Sequence, residues 1–248
     1  MRNQIKKLRS VTGLVNAFRA LPGDLRVARW VSGQAGQIAR YCAVHDERKL
    51  HVGCGHNLLD GWLNADVSPE YGCVLYLDAT APFPIADATF DYIYSEHVIQ
   101  HFPFRLGQVM LGECCRILKP GGVLRLSTPN LMRLATLLTE RYGAAQTEYT
   151  RLVSEKYIPE NTERLPAFVV NNFFWDFTHQ FVYDPESMQH AMKRAGFTAI
   201  EPVGIGVSAD PNLADLEHHG RIVGDTINEF ETMIFEARKV QAEGSGLR

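Results

Sequence analysis

Short apolar runs that alternate with helical patterns restrict the fold of this chain more than any other feature. The runs read as buried strands near 49–53, 62–66, 74–77, 90–94, 122–128, 198–204 and 231–238. Helical patterns lie near 105–117, 130–141 and 184–195. This alternation is typical of βαβ units, so we predict an α/β fold with a doubly wound, mostly parallel seven-stranded sheet. We expect its last two strands to form an antiparallel closing pair.

The length of the chain fits one α/β domain with additions. It has 248 residues, of which 46% are hydrophobic, and this is enough for one substantial core. We predict an N-terminal helical extension at 1–45, a main domain at 46–240 and a tail at 241–248. The stretch 143–178 lacks a clear period, and we interpret it as a helical insertion over the carboxyl edge of the sheet, where open α/β folds bind ligands.

Charge argues against nucleic acid as a partner, because the net charge is -3 and no global positive field is available to hold a polyanion. The N-terminal 40 residues are locally basic, and 3–20 carries the stripe of an amphipathic helix. That helix either packs on the domain with a solvated basic side or makes peripheral contact with an anionic membrane.

The cysteines and the apolar runs indicate a cytoplasmic protein. Five cysteines without a C-x-x-C pair suggest neither a disulfide framework nor a zinc knuckle. No stretch approaches the roughly 18 apolar residues of a membrane span, and the N-terminus lacks the pattern of a signal peptide.

The first predicted strand runs into Gly53-Cys54-Gly55, and acids end the next two strands at Asp66 and Asp78. Glycines let the backbone turn sharply and approach a ligand. An acid after the second strand can accept both hydroxyls of a ribose, and one after the third can take an adenine amino group. Gly-x-Gly alone also fits an ordinary turn, but the two acids favour a nucleoside site.

A dinucleotide site is disfavoured by the same segment. The dinucleotide fingerprint requires G-x-G-x-x-G with an acid about 20 residues further on. Position 58 is Leu, so the third glycine is absent.

Further motifs follow in a fixed order. They are Asp78-Ala79, Pro82-Phe83-Pro84, the run Phe90–His97, Leu118-Lys119-Pro120-Gly121-Gly122 and, after a later helix, Ala195-Gly196-Phe197. From about Lys49 to Asn130, and more weakly from Tyr183 to Phe197, the chain resembles class I S-adenosylmethionine-dependent methyltransferases of type 11, in a short bacterial form. The resemblance implies a Rossmann-like methyltransferase fold and S-adenosylmethionine as the cofactor.

The resemblance also assigns the cofactor contacts. They are Gly53, Cys54, Gly55, Asp66, Asp78, Ala79, Glu96 and His97. The glycine turn 53–55 would line the methionine part, and Asp66 would bind the ribose. Asp78 and Ala79 would flank the adenine, and Glu96 and His97 would cap the site after the fourth strand.

One departure concerns the connection between the glycine turn and the second strand. Only about ten residues separate Gly55 from Asp66, too few for the family's full first helix with its loops. Either that helix is reduced to a single turn at His56 to Asp60, or Asp66 is not the ribose acid. We favour the single turn.

Methyl transfer to a hydroxyl requires a base, for which histidine has a suitable pKa. His97, His101 and His179 are candidates at the carboxyl edge, and we predict His101 and His179 as catalytic. His101 fits a hydrogen-bonded edge histidine equally well, whereas His179 precedes a short strand beside the insertion and is expected to face the acceptor.

Other polar residues have plainer interpretations. His218 and His219 are taken as surface histidines, although their segment is also suited to close over the site. Tyr183 is either an acceptor contact or an amphipathic wall residue.

The segment Glu96–His101 resembles the E-x-x-E-H metal motif of some O-methyltransferases. His97 and Gln100 replace the two glutamates, and a hard Mg²⁺ ion prefers charged oxygen ligands. We therefore predict no metal.

The acceptor is implied only by the resemblance. It points to O-methylation of a sugar or glycan in the biosynthesis of a bacterial surface polysaccharide, while other small-molecule acceptors remain open. The alternative is a non-catalytic protein that binds the cofactor or a partner on the same fold.

Overall fold

The computed structural model describes residues 27–69, 71–139 and 143–241. A first helix, α1, covers 27–44 of the described part. The strands are β1 (Lys49–Val52), β2 (Leu63–Asp66), β3 (Leu75–Tyr76), β4 (Phe90–Glu96), β5 (Leu118–Pro129), β6 (Phe197–Val203) and β7 (Thr232–Lys239). The other α-helices are α2 (Phe104–Ile117), α3 (Leu131–Ala135), α4 (Ala144–Tyr157), α5 (Pro166–Trp175), α6 (Pro185–Arg194), α7 (His219–Val223) and α8 (Asp225–Glu231).

The seven strands form one sheet in the order β3-β2-β1-β4-β5-β7-β6. Neighbours among β1 to β5 are parallel, and β7 is antiparallel to both β5 and β6. The order reverses between β1 and β4, so the carboxyl ends of these two strands border the crevice where open α/β sheets bind ligands. This arrangement confirms the predicted fold class and the antiparallel closing pair.

Each predicted strand is present within a few residues of its expected position. The largest difference is β5, which begins at Leu118, where its pairing with β4 shifts register between Phe90 and Tyr92. The helix predicted at 130–141 is shorter, because α3 ends at Ala135 and continues as a 3₁₀ turn over Thr136–Leu138.

The predicted helix at 3–20, with its membrane-contact interpretation, lies outside the described residues. The described part of the predicted helical extension forms α1, which packs on the edge of the sheet. Gln34 donates from Nε2 to the carbonyl oxygen of Tyr76 at 2.8 Å, and the Tyr41 hydroxyl lies 3.0 Å from the carbonyl oxygen of Lys49. Tyr41 is buried in the main core.

No helix forms between β1 and β2, so the predicted helical turn at His56 to Asp60 is wrong. Residues 53–62 form turns instead. The Asn64 side chain orders them, because it accepts a hydrogen bond from the Leu59 amide at 2.9 Å and donates to the Leu59 carbonyl at 3.0 Å. One side-chain amide on β2 thus satisfies backbone groups that a helix would otherwise satisfy internally.

The stretch predicted as an insertion contains α4 and α5, which form a second apolar core with α8. Its buried members include Leu137, Tyr149, Val153, Phe173 and Phe230. This second core lies beside the carboxyl ends of the strands, since Asn130 at the end of β5 donates its amide to the Glu231 carbonyl at 2.7 Å.

None of the helices within the described ranges has both the length and the apolar composition that crossing a bilayer requires. All five cysteines are free thiols.

Candidate functional site

A cavity of about 520 Å³ opens at the carboxyl ends of β1 and β4. Its walls contain seven of the ten residues predicted from the sequence: Gly53, Cys54, Gly55, Glu96, His97, His101 and His179. Ligand pockets for small molecules are commonly about 300–1,000 Å³, so the volume suits a small organic ligand.

The glycine turn begins where β1 ends. Gly53 has a φ of 72°, and its amide and that of Cys54 both donate to the Ala65 carbonyl, at 2.8 and 3.0 Å. A side chain at Gly53 would collide with Val98, because a Cβ there would lie 2.2 Å from the Val98 Cγ2 atom. Gly55 has a φ of 50° and open space at its Cβ position, so its backbone is accessible from the cavity.

Asp66 lies at the tip of β2, just beyond the cavity wall. Its Oδ2 atom accepts a hydrogen bond from the Gly55 amide at 3.0 Å, and its Oδ1 atom accepts one from the Ser68 amide at 2.8 Å. The Leu77 amide donates to the Asp66 carbonyl at 2.9 Å, which places Asp78 at the tip of the neighbouring strand. The two predicted acids therefore end adjacent strands.

Asp78 and Ala79 do not line the described cavity. The Asp78 Oδ1 atom accepts hydrogen bonds from the Thr80 amide at 2.8 Å and from the Thr80 hydroxyl at 2.7 Å. Ala79 is buried in the main core. Asp78 thus orders its own turn, and an adenine contact would use its remaining acceptor capacity.

Glu96 at the end of β4 binds the start of α7. Its Oε1 atom accepts hydrogen bonds from the amides of His218 and His219, both at 2.9 Å. Both histidines line the cavity, so the interpretation of them as surface histidines is wrong. Glu96 and His218, which make this contact, lie 122 positions apart in the sequence.

His97 adopts a backbone conformation that non-glycine residues rarely adopt, with a φ of 51°. Such strain costs about 1–3 kcal/mol and clusters at functional sites. Its ring stacks on that of His219, with centroids 3.7 Å apart. Its Nε2 atom lies 3.0 Å from the Thr232 hydroxyl, which donates to the Asn228 Oδ1 atom. Burial lowers the pKa of His97 well below its usual range, so the ring is uncharged.

The two histidines predicted as catalytic face one another across the cavity. The ring centroids of His101 and His179 are 4.9 Å apart, and the His179 ring lies edge-on to Phe173. Burial lowers the pKa of His179 to about 3, and burial also lowers the pKa of His101. The His179 Nδ1 atom is buried without a hydrogen-bond partner. Both rings are neutral near pH 7 and can hydrogen-bond to an uncharged ligand.

Tyr183 does not line the cavity, which contradicts the interpretation of it as an acceptor contact. The side chain is fully buried in the main core and packs on Phe104 and Phe181. Burial raises the pKa of Tyr183 to about 12.

The wall residue Glu231 and the buried Tyr149 behind it were not found from the sequence. The Glu231 Oε2 atom accepts a hydrogen bond from the Tyr149 hydroxyl at 2.6 Å, and its Oε1 atom lies 3.1 Å from the His219 Nε2 atom. Glu231 stands four residues after Ile227 on the buried face of α8. An acid at helical spacing on an apolar face is the signal that could have identified it.

Acid is expected to destabilise the protein through its buried histidines. Burial lowers the pKa of His51 to about 4, whereas an unfolded histidine titrates near 6.5. Between these values the unfolded chain binds more protons, so stability falls as pH falls through that window. Thermal unfolding followed from pH 7.5 to 4 should show a falling Tm, with a smaller fall for His51→Asn. A Tm that does not change below pH 6.5 would contradict this prediction.

No group of three or more His, Cys, Asp or Glu side chains in the described ranges is arranged to hold a metal ion.

Comparisons with known proteins identify the family. A family model described as a methyltransferase domain matches residues 35–201, more than half of the chain. No curated protein matches the chain in sequence. The matching model is type 23, whereas the motifs resemble type 11, so the agreement is at the level of the class.

Solved structures with a similar fold include three methyltransferases. Phosphoethanolamine N-methyltransferase 2 of Haemonchus contortus has 16% identity and a TM-score of 0.48, over 79% of this chain and 49% of that chain. An S-adenosylmethionine-dependent methyltransferase from Archaeoglobus fulgidus has 15% identity and a TM-score of 0.46, over 82% and 92%. A putative methyltransferase from Bacillus halodurans has 15% identity and a TM-score of 0.44, over 83% and 98%.

This chain spans about half the length of the Haemonchus protein. The matched family model and the 3-2-1-4-5-7-6 strand order agree with the class predicted from the motifs. The chain therefore belongs to the methyltransferase-domain family, with the class I methyltransferase fold.

Proposed function

We propose that this protein is a cytoplasmic enzyme that transfers the methyl group of S-adenosylmethionine to a hydroxyl of a sugar, glycan or other small uncharged acceptor. The observation that carries the proposal is the glycine turn Gly53-Cys54-Gly55, which opens into a cavity with two acidic side chains, Glu96 and Glu231. The described walls contain no Lys or Arg. Such walls suit a cationic sulfonium and disfavour an anionic acceptor.

The adenosine part of the cofactor would lie along the tips of β2 and β3. Asp66 would accept the ribose hydroxyls, and Asp78 would accept the adenine amino group. Each carboxylate already accepts hydrogen bonds from its own turn. Because two carboxylate oxygens provide about four acceptor positions, both acids keep capacity for a ligand.

The methyl carbon of a sulfonium is already activated, so the protein has mainly to align the acceptor and exclude water. The uncharged rings of His101 and His179 and the side chain of Gln100 all line the cavity and offer hydrogen bonds to hydroxyl groups. Tyr157 and Phe177 from the insertion supply apolar wall. This mixture fits a sugar ring, which has polar edges and apolar faces, and we extend the proposal to a glycan of a bacterial surface polysaccharide.

Replacing Asp66 by Asn is expected to weaken binding of S-adenosylhomocysteine by about 10- to 100-fold, because a hydrogen bond to a charged group contributes about 1.5–3 kcal/mol. Isothermal titration calorimetry measures the effect. Asp60→Asn is the matched control, since Asp60 is an exposed acid on the same connection. Equal affinities for wild type and Asp66→Asn would remove Asp66 from the cofactor site.

Neutral acceptors are expected to turn over, and phosphorylated ones are not. Release of S-adenosylhomocysteine can be followed with methyl glycosides and simple phenols, each paired with its phosphate ester. Turnover confined to the phosphate esters would contradict the charge argument. Saturable cofactor binding without turnover of any compound would favour the alternative, a non-catalytic binding protein on this fold.

A further inference from the structure

A histidine, a glutamate and a tyrosine form a chain of hydrogen bonds at one wall of the cavity. His219 Nε2 lies 3.1 Å from Glu231 Oε1, and the Tyr149 hydroxyl donates to Glu231 Oε2 at 2.6 Å. Tyr149 is 1% exposed and Glu231 is 5% exposed, whereas the His219 side chain is 18% exposed and lines the cavity. Only the histidine end of the chain is therefore open to a ligand.

The carboxylate fixes which ring nitrogen carries the proton. An ionised carboxylate only accepts hydrogen bonds, so the neutral His219 ring holds its proton on Nε2. The Nδ1 atom then has a free lone pair, because the hydrogen bond that the ring makes to the described residues uses Nε2. Such a ring is set to receive a proton at Nδ1.

We infer that His219 is the general base of the methyl transfer and that Glu231 and Tyr149 are its positioning residues. This inference rests on the proposed function. The acceptor oxygen forms a bond to the methyl carbon while the carbon–sulfur bond breaks, and the electron pair of that bond remains on sulfur. The acceptor proton moves to His219 Nδ1, and the resulting imidazolium is paired with the Glu231 carboxylate.

The groups packed around His219 favour this proton transfer. The ring of His97 covers one face at 3.7 Å, and its own Nε2 is engaged by Thr232. Glu96 holds the His219 amide at 2.9 Å, which fixes the backbone from the β4 side. Burial lowers the pKa of the stacked His97 ring well below its usual range, so this neighbour adds no positive charge, and the imidazolium would meet the carboxylates of Glu231 and Glu96.

The two histidines predicted from the sequence lack this arrangement. The His101 Nδ1 atom lies 3.4 Å from the Thr178 hydroxyl, and the His179 Nδ1 atom has no partner. Neither contact supplies a negative charge to stabilise a protonated ring. His101 and His179 therefore serve to hold the acceptor rather than to take its proton.

Long-range ¹H–¹⁵N NMR of histidine tautomers tests the inference without knowledge of the acceptor. Full-length protein saturated with S-adenosylhomocysteine at pH 7.5 should show the His219 proton on Nε2, with the signal assigned by its loss in His219→Asn. Glu231→Gln should disturb that tautomer. A His219 proton on Nδ1 would overturn the inference, and it would leave the proposed function intact. Failure of the wild type to bind S-adenosylhomocysteine would instead overturn the proposed function.

Kinetics on any glycoside or phenol turned over by the wild type gives the second test. His219→Asn should lower kcat by about 100- to 10,000-fold, the usual contribution of a general base, while affinity for S-adenosylhomocysteine stays within about threefold. Added imidazole should restore part of the activity of His219→Ala. Glu231→Gln should lower kcat with little change in KM.

The matched variants separate the base from the other histidines. His190→Asn, on the exposed face of α6, should behave like wild type. A larger loss of kcat in His101→Asn or His179→Asn than in His219→Asn would overturn the inference. Loss of cofactor affinity equal to the loss of kcat in His219→Asn would also overturn it.

Discussion

Gly53→Ala is expected to abolish measurable binding of S-adenosylhomocysteine and to lower stability. The new Cβ would lie 2.2 Å from Val98 Cγ2, a separation that real structures do not tolerate, so the turn or the segment after β4 must move. A φ of 72° adds about 1–2 kcal/mol of strain for a residue with a side chain. Movement would break the bonds from Gly53 and Cys54 to Ala65. Calorimetry and urea unfolding measure the two effects.

Two further variants divide this effect into its causes. Gly61→Ala has a similar φ of 76° but meets no atom within 4 Å, so it should show the backbone strain alone. Val98→Ala combined with Gly53→Ala should recover part of the binding, because it removes the colliding methyl groups. Wild-type affinity in Gly53→Ala would show that the cofactor does not approach this turn.

The sheet could be predicted from the sequence because its signals are local. Each buried strand is a short apolar run, and the helical patterns near 105–117 and 184–195 correspond to α2 and α6. Gly53 and Gly55 are recognisable for the same reason. Both lie within three residues of the end of the first strand, and glycine readily adopts the positive φ that a sharp turn needs. The acids Asp66 and Asp78 were placed correctly at neighbouring strand tips because β2 and β3 are parallel and in register.

The cavity wall that contains His219 and Glu231 could not be predicted because its contacts join distant parts of the chain. Glu96 meets His218 across 122 positions, and Tyr149 meets Glu231 across 82. Neither pair has a sequence pattern of its own. The connection after Gly55 was also missed, because a single Asn64 side chain replaces the helix that the family usually has. Local propensity contains no information about such side-chain substitutes for secondary structure.

Arg125→Met is expected to cost about 3–5 kcal/mol of stability, the usual effect of removing one partner from a buried ion pair. Arg125 lies in β5 with no exposed surface, and it donates to Glu217 and Glu236, both at 2.6 Å. The Glu217 side chain is only 2% exposed, so its charge would be left buried without a partner. Arg125 also donates to the Val207 carbonyl at 2.9 Å.

This network fixes the segment that precedes His218 and His219. Glu217 accepts a hydrogen bond from the Gly206 amide at 2.8 Å, so the arginine, the glutamate and the loop after β6 form one unit. Loss of Arg125 should therefore displace His219 and lower kcat in addition to stability. Urea unfolding and turnover measure the two effects, and Arg151→Ala, at an exposed pair, is the control with little expected change.

A second substitution separates the buried charge from the lost packing. Glu217→Gln combined with Arg125→Met removes the unpaired charge, so it should recover part of the stability. The double variant should not recover kcat, because the side chain at position 217 would still lack the Arg125 guanidinium as a partner. The segment before His219 would then remain without this anchor. Equal stability losses in Arg125→Met and Arg151→Ala would show that the buried position of Arg125 does not matter. Full recovery of kcat in the double variant would show that His219 is held by Glu96 alone.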